Sequence, residues 1–135
     1  MDYADEQLKA IYELGRLYFE MGYFAPAERI FAGLSVVDGA QTPARLGLGL
    51  VKLERGLYQE AAVHFRNVIQ SGRFTLQAKV ALASAFLAAG EFNRAKSMLG
   101  EISKEAGAQL AQDTEMRILW EALVIRCSGA EQREL

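Results

Sequence analysis

The sequence predicts an all-α fold of repeated helical hairpins, and a period of 34 residues is the main evidence for it. Four columns of similar residues recur at this spacing without a shift in register: Gly22, Gly56 and Gly90; Phe24, Tyr58 and Phe92; Ala27, Ala61 and Ala95; Phe31, Phe65 and Leu99. Glycine commonly follows the end of a helix, and apolar residues one turn apart mark a buried helical face. The chain has only two prolines, which also favours helices.

This period is typical of the tetratricopeptide repeat (TPR), a pair of antiparallel helices that stacks on its neighbours into a superhelix. A single hairpin cannot bury its own apolar face, so a terminal helix that departs from the repeat is expected to cover the last one. We therefore predict one TPR domain over residues 1–135, with three repeats at about 8–41, 42–75 and 76–107, a capping helix at about 108–127 and a frayed polar tail at 128–135.

The helices of the first repeat follow from local signals. The first is predicted from Asp5 to Met21 and ends before Gly22, and the second from Phe24 to Val37, with Pro26 in its first turn. The first helix also fits the W-x2-L-G-x2-Y pattern of the repeat, with isoleucine in place of tryptophan, through Ile11, Leu14, Gly15 and Tyr18.

The later helices repeat this plan. Thr42 is predicted to cap the third helix, with Pro43 at its first position, and the fourth helix is predicted at about 58–70. Gly90 ends the fifth helix, and the final helix is predicted at about 108–126.

Small residues form a further column at the same spacing, consisting of Gly15, Gly49 and Ala83. We predict that they let the two helices of each pair approach closely, because a larger side chain there would overpack the contact. Gly47 and Gly49 do not form a phosphate loop, since the sequence lacks G-x-x-x-x-G-K-[ST] and predicts no preceding strand.

Composition restricts the class of protein. The chain is 51% hydrophobic and 24% charged, with a net charge of −2, which is typical of a globular protein without a basic nucleic-acid footprint. No apolar run approaches the roughly 18 residues of a membrane span, and the acidic N-terminus is unlike a secretory signal. We therefore expect a cytoplasmic protein that neither binds nucleic acid nor spans a membrane.

The sequence offers no constellation for catalysis. His64 is the only histidine and is interpreted as an ordinary helix residue, because a metal site would need further ligands. Cys127 is the only cysteine, so no intrachain disulfide can form, and it is interpreted as a half-buried thiol. We expect no enzyme activity, no cofactor and no metal.

A concave groove is the candidate binding site. The first helix of each TPR pair lines the inner side of the superhelix, and the groove-facing positions are mostly apolar: Tyr12, Arg16, Phe19, Leu46, Leu50, Leu53, Val80, Ser84 and Leu87. Such a surface favours an extended or helical peptide of another protein. The alternative is that the terminal helix or a second copy of the chain covers these residues.

Several motifs resemble the class II chaperones of bacterial type III secretion systems, which are TPR proteins that hold hydrophobic translocator proteins before export. The resemblance spans about residues 11–104. It rests on matches to F-x2-L-x-V-x-D at Phe31–Asp38, G-x-Y-x-x-A at Gly56–Ala61 and G-E-x-x-x-A at Gly90–Ala95. In addition, Arg45–Gly49 resembles F-L-G-L-G with arginine at the first position, and Arg73–Phe74 resembles the end of P-R-F, with Gly72 in place of the proline.

The resemblance implies a chaperone or adaptor that binds an extended segment of a secreted translocator or another secretion component. The groove residues named above, apart from Arg16 and Ser84, would form its pockets, and a homodimer is possible. The alternative function is a non-catalytic scaffold or assembly subunit whose apolar groove is a permanent subunit interface.

Overall fold

The computed structural model describes the backbone of residues 4–134 and the side chains up to Gly129. These residues form seven helices and no strand, which confirms the predicted all-α fold. The helices are α1 (Asp5–Glu20), α2 (Phe24–Leu34), α3 (Gln41–Glu54), α4 (Tyr58–Ser71), α5 (Thr75–Ala88), α6 (Phe92–Gln112) and α7 (Thr114–Glu134). The chain divides into two compact units, one ending at Arg73 and the other beginning at Phe74.

The turn inside each hairpin has the same geometry in all three repeats. Gly22, Gly56 and Gly90 have φ values of 83°, 78° and 80°, in the left-handed region that glycine adopts without strain. The residue after each glycine donates its backbone N–H to a carbonyl oxygen five residues back, at 2.8–2.9 Å in every case. This bond closes the last turn of the first helix, as in a Schellman motif.

Glycines and phenylalanines pack against one another in the first unit. A Cβ on Gly15 of α1 would lie 2.7 Å from the Phe31 ring, and a Cβ on Gly47 of α3 would lie 2.9 Å from the same ring. A Cβ on Gly49 would lie 2.7 Å from one ring atom of Phe65 in α4 and closer still to another. The predicted close-packing role of Gly15 and Gly49 is confirmed, and Gly47 shares it.

The second unit is built around α5, which packs on both α6 and α7. Nine of the fourteen residues of α5 are buried. The indole N–H of Trp120 in α7 donates a hydrogen bond of 2.9 Å to the carbonyl oxygen of Leu99 in α6. This bond and the buried side chains of Leu123 and Cys127 fix α7 within the unit.

Two helix ends in the first unit differ from the predictions. α2 ends at Leu34 rather than Val37. The Ser35 hydroxyl donates to the carbonyl oxygen of Ala32 in the last turn, and the following residues form a turn in which Gly39 has a left-handed φ of 85°. α3 begins at Gln41, and Ala44 N–H already donates to the carbonyl of Ala40. Thr42 is therefore inside the first turn and not its cap; Pro43 is tolerated there because the first-turn N–H groups have no helical partner.

The C-terminal region also differs from the single predicted helix at 108–126. α6 continues to Gln112 past a non-helical residue, Ala106, and ends at Asp113, whose backbone is extended. The carboxylate of Asp113 accepts the Met116 N–H at 3.1 Å and so caps α7.

The backbone of the predicted frayed tail is helical through Glu134. This stretch, residues 130–134, is rich in alanine, glutamate, glutamine and arginine, which are good helix formers. Leu135 lies outside the described residues.

Candidate functional site

The nine predicted groove residues fall in both units and differ in burial. In the first unit, Arg16 is exposed and the other five are half-buried: Tyr12, Phe19, Leu46, Leu50 and Leu53. In the second unit, Ser84 is half-buried, whereas Val80 and Leu87 are only 3% and 8% exposed. The accessible residues of the predicted site are therefore those of α1 and α3 in the first unit and Ser84 of α5 in the second.

The aromatic side chains of Tyr12 and Phe19 on α1 form one side of the accessible surface of the first unit. The ring of Tyr12 lies 5.7 Å from that of Phe31, and the ring of Phe19 lies 5.7 Å from that of Phe24, both between centroids. Burial raises the pKa of the Tyr12 phenol above its ordinary value. Both rings are thus anchored on the core at one edge and accessible at the other.

Three leucines form the other side. Leu46, Leu50 and Leu53 are spaced by four and three residues and share one face of α3. A different face of α3 is buried in the core through Ala44, Leu48 and Val51. The face with the three leucines is therefore not the face that packs in the core. The neighbouring helix α1 packs beside α3.

Arg16 is bound to acidic neighbours on its own helix. Its guanidinium lies 3.6 Å from the carboxylate of Glu13 and 3.4 Å from that of Glu20, and all three side chains are more than half exposed. Exposed pairs of this kind contribute little to stability. Arg16 can therefore exchange these partners for an acidic group on a ligand.

The burial of Val80 and Leu87 has a signal in the sequence of α5. This helix carries a single charged residue, Lys79, whose ammonium group pairs with Glu105 of α6 at 3.0 Å. A helix that is apolar nearly all round is buried on several sides. α7 packs on α5, and the 34-residue period alone does not predict this contact.

A cluster of charges joins α2, α3 and α4, and no sequence pattern indicates it. Lys52 lies 2.5 Å from Glu28 and 3.2 Å from Glu60, and Arg55 lies 2.6 Å from Glu28. The hydrogen bond from Lys52 is the main cause that lowers the pKa of Glu28, and the same bond raises the pKa of Lys52. Lys52 occupies the column of Tyr18 and Phe86, so a cation replaces an aromatic residue there.

His64 lies beside this cluster and is half-buried. Burial is the main cause that lowers its pKa, and the nearby cations Arg45 and Lys52 act in the same direction. The neutral imidazole is therefore favoured. Among the described residues, no three His, Cys, Asp or Glu side chains come together as a possible metal site, and Cys127 is buried.

Comparison with known proteins identifies the fold. No family model and no curated protein matches the sequence. The crystal structure of PcrH from Pseudomonas aeruginosa superimposes with a TM-score of 0.78 over 96% of each chain, at 21% sequence identity. The chain has the fold of PcrH. The resemblance noted from the sequence motifs is thereby confirmed at the level of the fold.

Helix length and composition also bear on a membrane location. Within the part of the chain that the structure describes, no helix combines the length and the apolar character needed to cross a bilayer.

Proposed function

We propose that this protein is a protein-binding chaperone or adaptor that holds an extended apolar segment of a partner against α1 and α3. The similarity to PcrH, a translocator chaperone of type III secretion, supports a chaperone role in general. The finer proposal is that the partner is a secreted translocator or another secretion component, and that binding takes place in the cytoplasm without catalysis.

One observation supports the proposal: α3 has a face of leucines that does not pack into the core. Leu46, Leu50 and Leu53 remain half-buried while the core face of the same helix is at most 7% exposed. An apolar ligand that covered these leucines and the rings of Tyr12 and Phe19 would gain roughly 25 cal/mol for each Å² removed from water. Val80, Ser84 and Leu87 belong to the second unit; Val80 and Leu87 are buried there, so of these α5 residues only Ser84 is proposed to contact a partner.

The test is capture of the partner from the native host. A tagged chain and its Leu53→Asp variant are used as bait, and the retained proteins are identified by mass spectrometry. Val63→Asp is the matched control, because Val63 is 60% exposed on α4 and outside the proposed surface. We expect Leu53→Asp to lose the partner and Val63→Asp to keep it, with helical content unchanged in both. Equal capture by both variants contradicts the proposal.

The scaffold alternative predicts a different result from the same preparations. If the leucine face is a permanent interface between copies, the wild-type protein stays dimeric on dilution to nanomolar concentration and captures nothing else. Leu53→Asp would then convert the dimer to a monomer, as measured by sedimentation.

A further inference from the structure

α7 exposes an apolar face on the side away from the core of the second unit. Ile118 and Ile125 are 58% and 70% exposed, and Ala122 between them is exposed as well. Their spacing of four and three residues places all three on one side of the helix, which we call the α7 face. The opposite side of α7 is packed in the second unit through the buried side chains of Leu123 and Cys127.

The place of α7 in the repeat array makes this face unusual. α7 follows the third repeat and packs on both α5 and α6, as a capping helix does. A capping helix normally has a polar outer face, because the solubility of a repeat protein depends on it. The outer side of α7 carries two isoleucines instead, and neighbouring exposed apolar side chains of this kind mark an interaction surface.

Charged residues of opposite sign lie at the two ends of the α7 face. Glu115 and Arg126 are both exposed, and their separation of eleven residues, close to three helical turns, places them along the same border of the face. A partner helix of uniform charge would therefore attract one end of this border and repel the other. A helix with the reverse order of charge complements both ends.

A second copy of α7 in the antiparallel orientation supplies this reverse order. When Ile118 lies opposite Ala122 of the other copy, Glu115 of each copy comes within one residue of Arg126 of the other. The small side chain of Ala122 at this crossing allows the two helices to approach closely. A parallel pair would instead bring Glu115 to Glu115 and Arg126 to Arg126, so the charges select the antiparallel pair.

The other border of the face is electrostatically balanced. It carries Arg117 and Glu121, which are both exposed, and the guanidinium of Arg117 donates a hydrogen bond of 3.3 Å to the carbonyl oxygen of Ala111. In the same antiparallel register, Glu121 of each copy lies as near along the helix to Arg117 of the other copy as to the other Glu121. This border therefore does not oppose the pairing, and the contacts of Glu115 with Arg126 set its orientation.

We propose that the protein forms a weak homodimer in which α7 packs antiparallel against α7 of a second copy, separately from the groove. One pair of helices buries less than the roughly 1,200–2,000 Å² of a standard stable interface, so the dissociation constant is expected in the micromolar range. Sedimentation velocity of the full chain at concentrations from about 1 to about 200 µM measures it.

Exchange of the border charges makes the test specific. Glu115→Arg should weaken the dimer by about tenfold at low salt, because both symmetry-related pairs become repulsive, and Arg126→Glu should do the same. The double variant Glu115→Arg/Arg126→Glu places opposite charges together again, so it should dimerise within about threefold of the wild type. Added salt should narrow these differences.

A substitution on the apolar face tests the packing. Ile125→Asp should abolish dimerisation over this concentration range, and Val63→Asp is the matched control, because Val63 is 60% exposed on α4 and far along the chain from α7. Circular dichroism checks that each variant is folded. Ile125→Asp should still capture the groove partner, and Leu53→Asp should leave this dimer intact, so the two proposals can fail separately.

Three results would overturn the proposal. The first is a wild-type chain that stays monomeric at about 200 µM. The second is a dimer that Leu53→Asp dissociates and Ile125→Asp does not, since the leucines of α3 would then form the interface. The third is a double charge variant that dimerises no better than either single variant, because Glu115 and Arg126 would then not face each other across the dimer.

Discussion

Adding one methyl group at Gly49 should destabilise the protein by an amount that the structure allows us to calculate. The Cβ of Gly49→Ala would lie within 2.7 Å of two atoms of the Phe65 ring, whereas carbon atoms in contact prefer about 3.5–4.0 Å. Phe65 is 0% exposed, so the ring cannot move away without displacing its neighbours. Overpacking of this kind costs roughly 1–3 kcal/mol, and this contact is at the severe end.

The helical preference of alanine over glycine offsets about 1 kcal/mol of that cost. The expected net loss in the free energy of unfolding is about 2 kcal/mol, which lowers Tm by roughly 6–10 °C for a chain of this size. Urea denaturation followed by circular dichroism measures the loss. Gly100→Ala is the matched control, because Gly100 lies inside α6 and a Cβ added there would meet no atom within 4 Å; it should gain about 0.5–1 kcal/mol.

The third repeat suggests the rescue. There, Ala83 and Leu99 occupy the places of Gly49 and Phe65, and both are buried, so the extra methyl group comes with a smaller partner. Gly49→Ala should therefore cost at least about 1 kcal/mol less in a Phe65→Leu background than in the wild type. Strict additivity of the two substitutions, or a Gly49→Ala variant as stable as Gly100→Ala, would refute this packing argument.

Three further perturbations have defined outcomes. Lys52 holds the pKa of Glu28 in the folded protein below its unfolded value, so this ion pair stabilises the fold above the unfolded pKa and loses its effect as pH falls through the folded pKa. The Tm difference between wild type and Glu28→Gln should therefore shrink between pH 6 and pH 3. A Tm difference that stays constant over this range contradicts the assignment. Trp120→Phe removes the hydrogen bond to the Leu99 carbonyl and should lower the unfolding free energy by about 1 kcal/mol, with α7 amides exchanging faster. Leu87→Asp places a charge at a site 8% exposed and should reduce helical content and Tm strongly, whereas Leu53→Asp should not; similar Tm values for the two would be inconsistent with the burial described.

Much of the fold could be predicted because each repeat solves the same packing problem with the same residues. The hairpin glycines and the pairs Gly15 with Phe31 and Gly49 with Phe65 recur every 34 residues, and each constrains backbone geometry directly. The C-terminal region lacks these columns, so neither the break at Asp113 nor the length of α7 could be read from the period. The ion pairs of Lys52 could not be predicted from the sequence either, since its partner Glu28 lies on another helix, 24 residues earlier.

Repeat position predicts which way a side chain points, but it does not predict what covers the side chain. Leu46 and Val80 occupy the same repeat position, as do Leu53 and Leu87, yet the α3 members are half-buried and the α5 members are buried. The reverse holds on the opposite face, where Leu14 is exposed although its counterparts Leu48 and Leu82 are buried. The end of a repeat array changes the neighbours of a residue without changing its column. Substitutions on α3 therefore test the proposed binding, whereas the same substitutions on α5 mainly test folding.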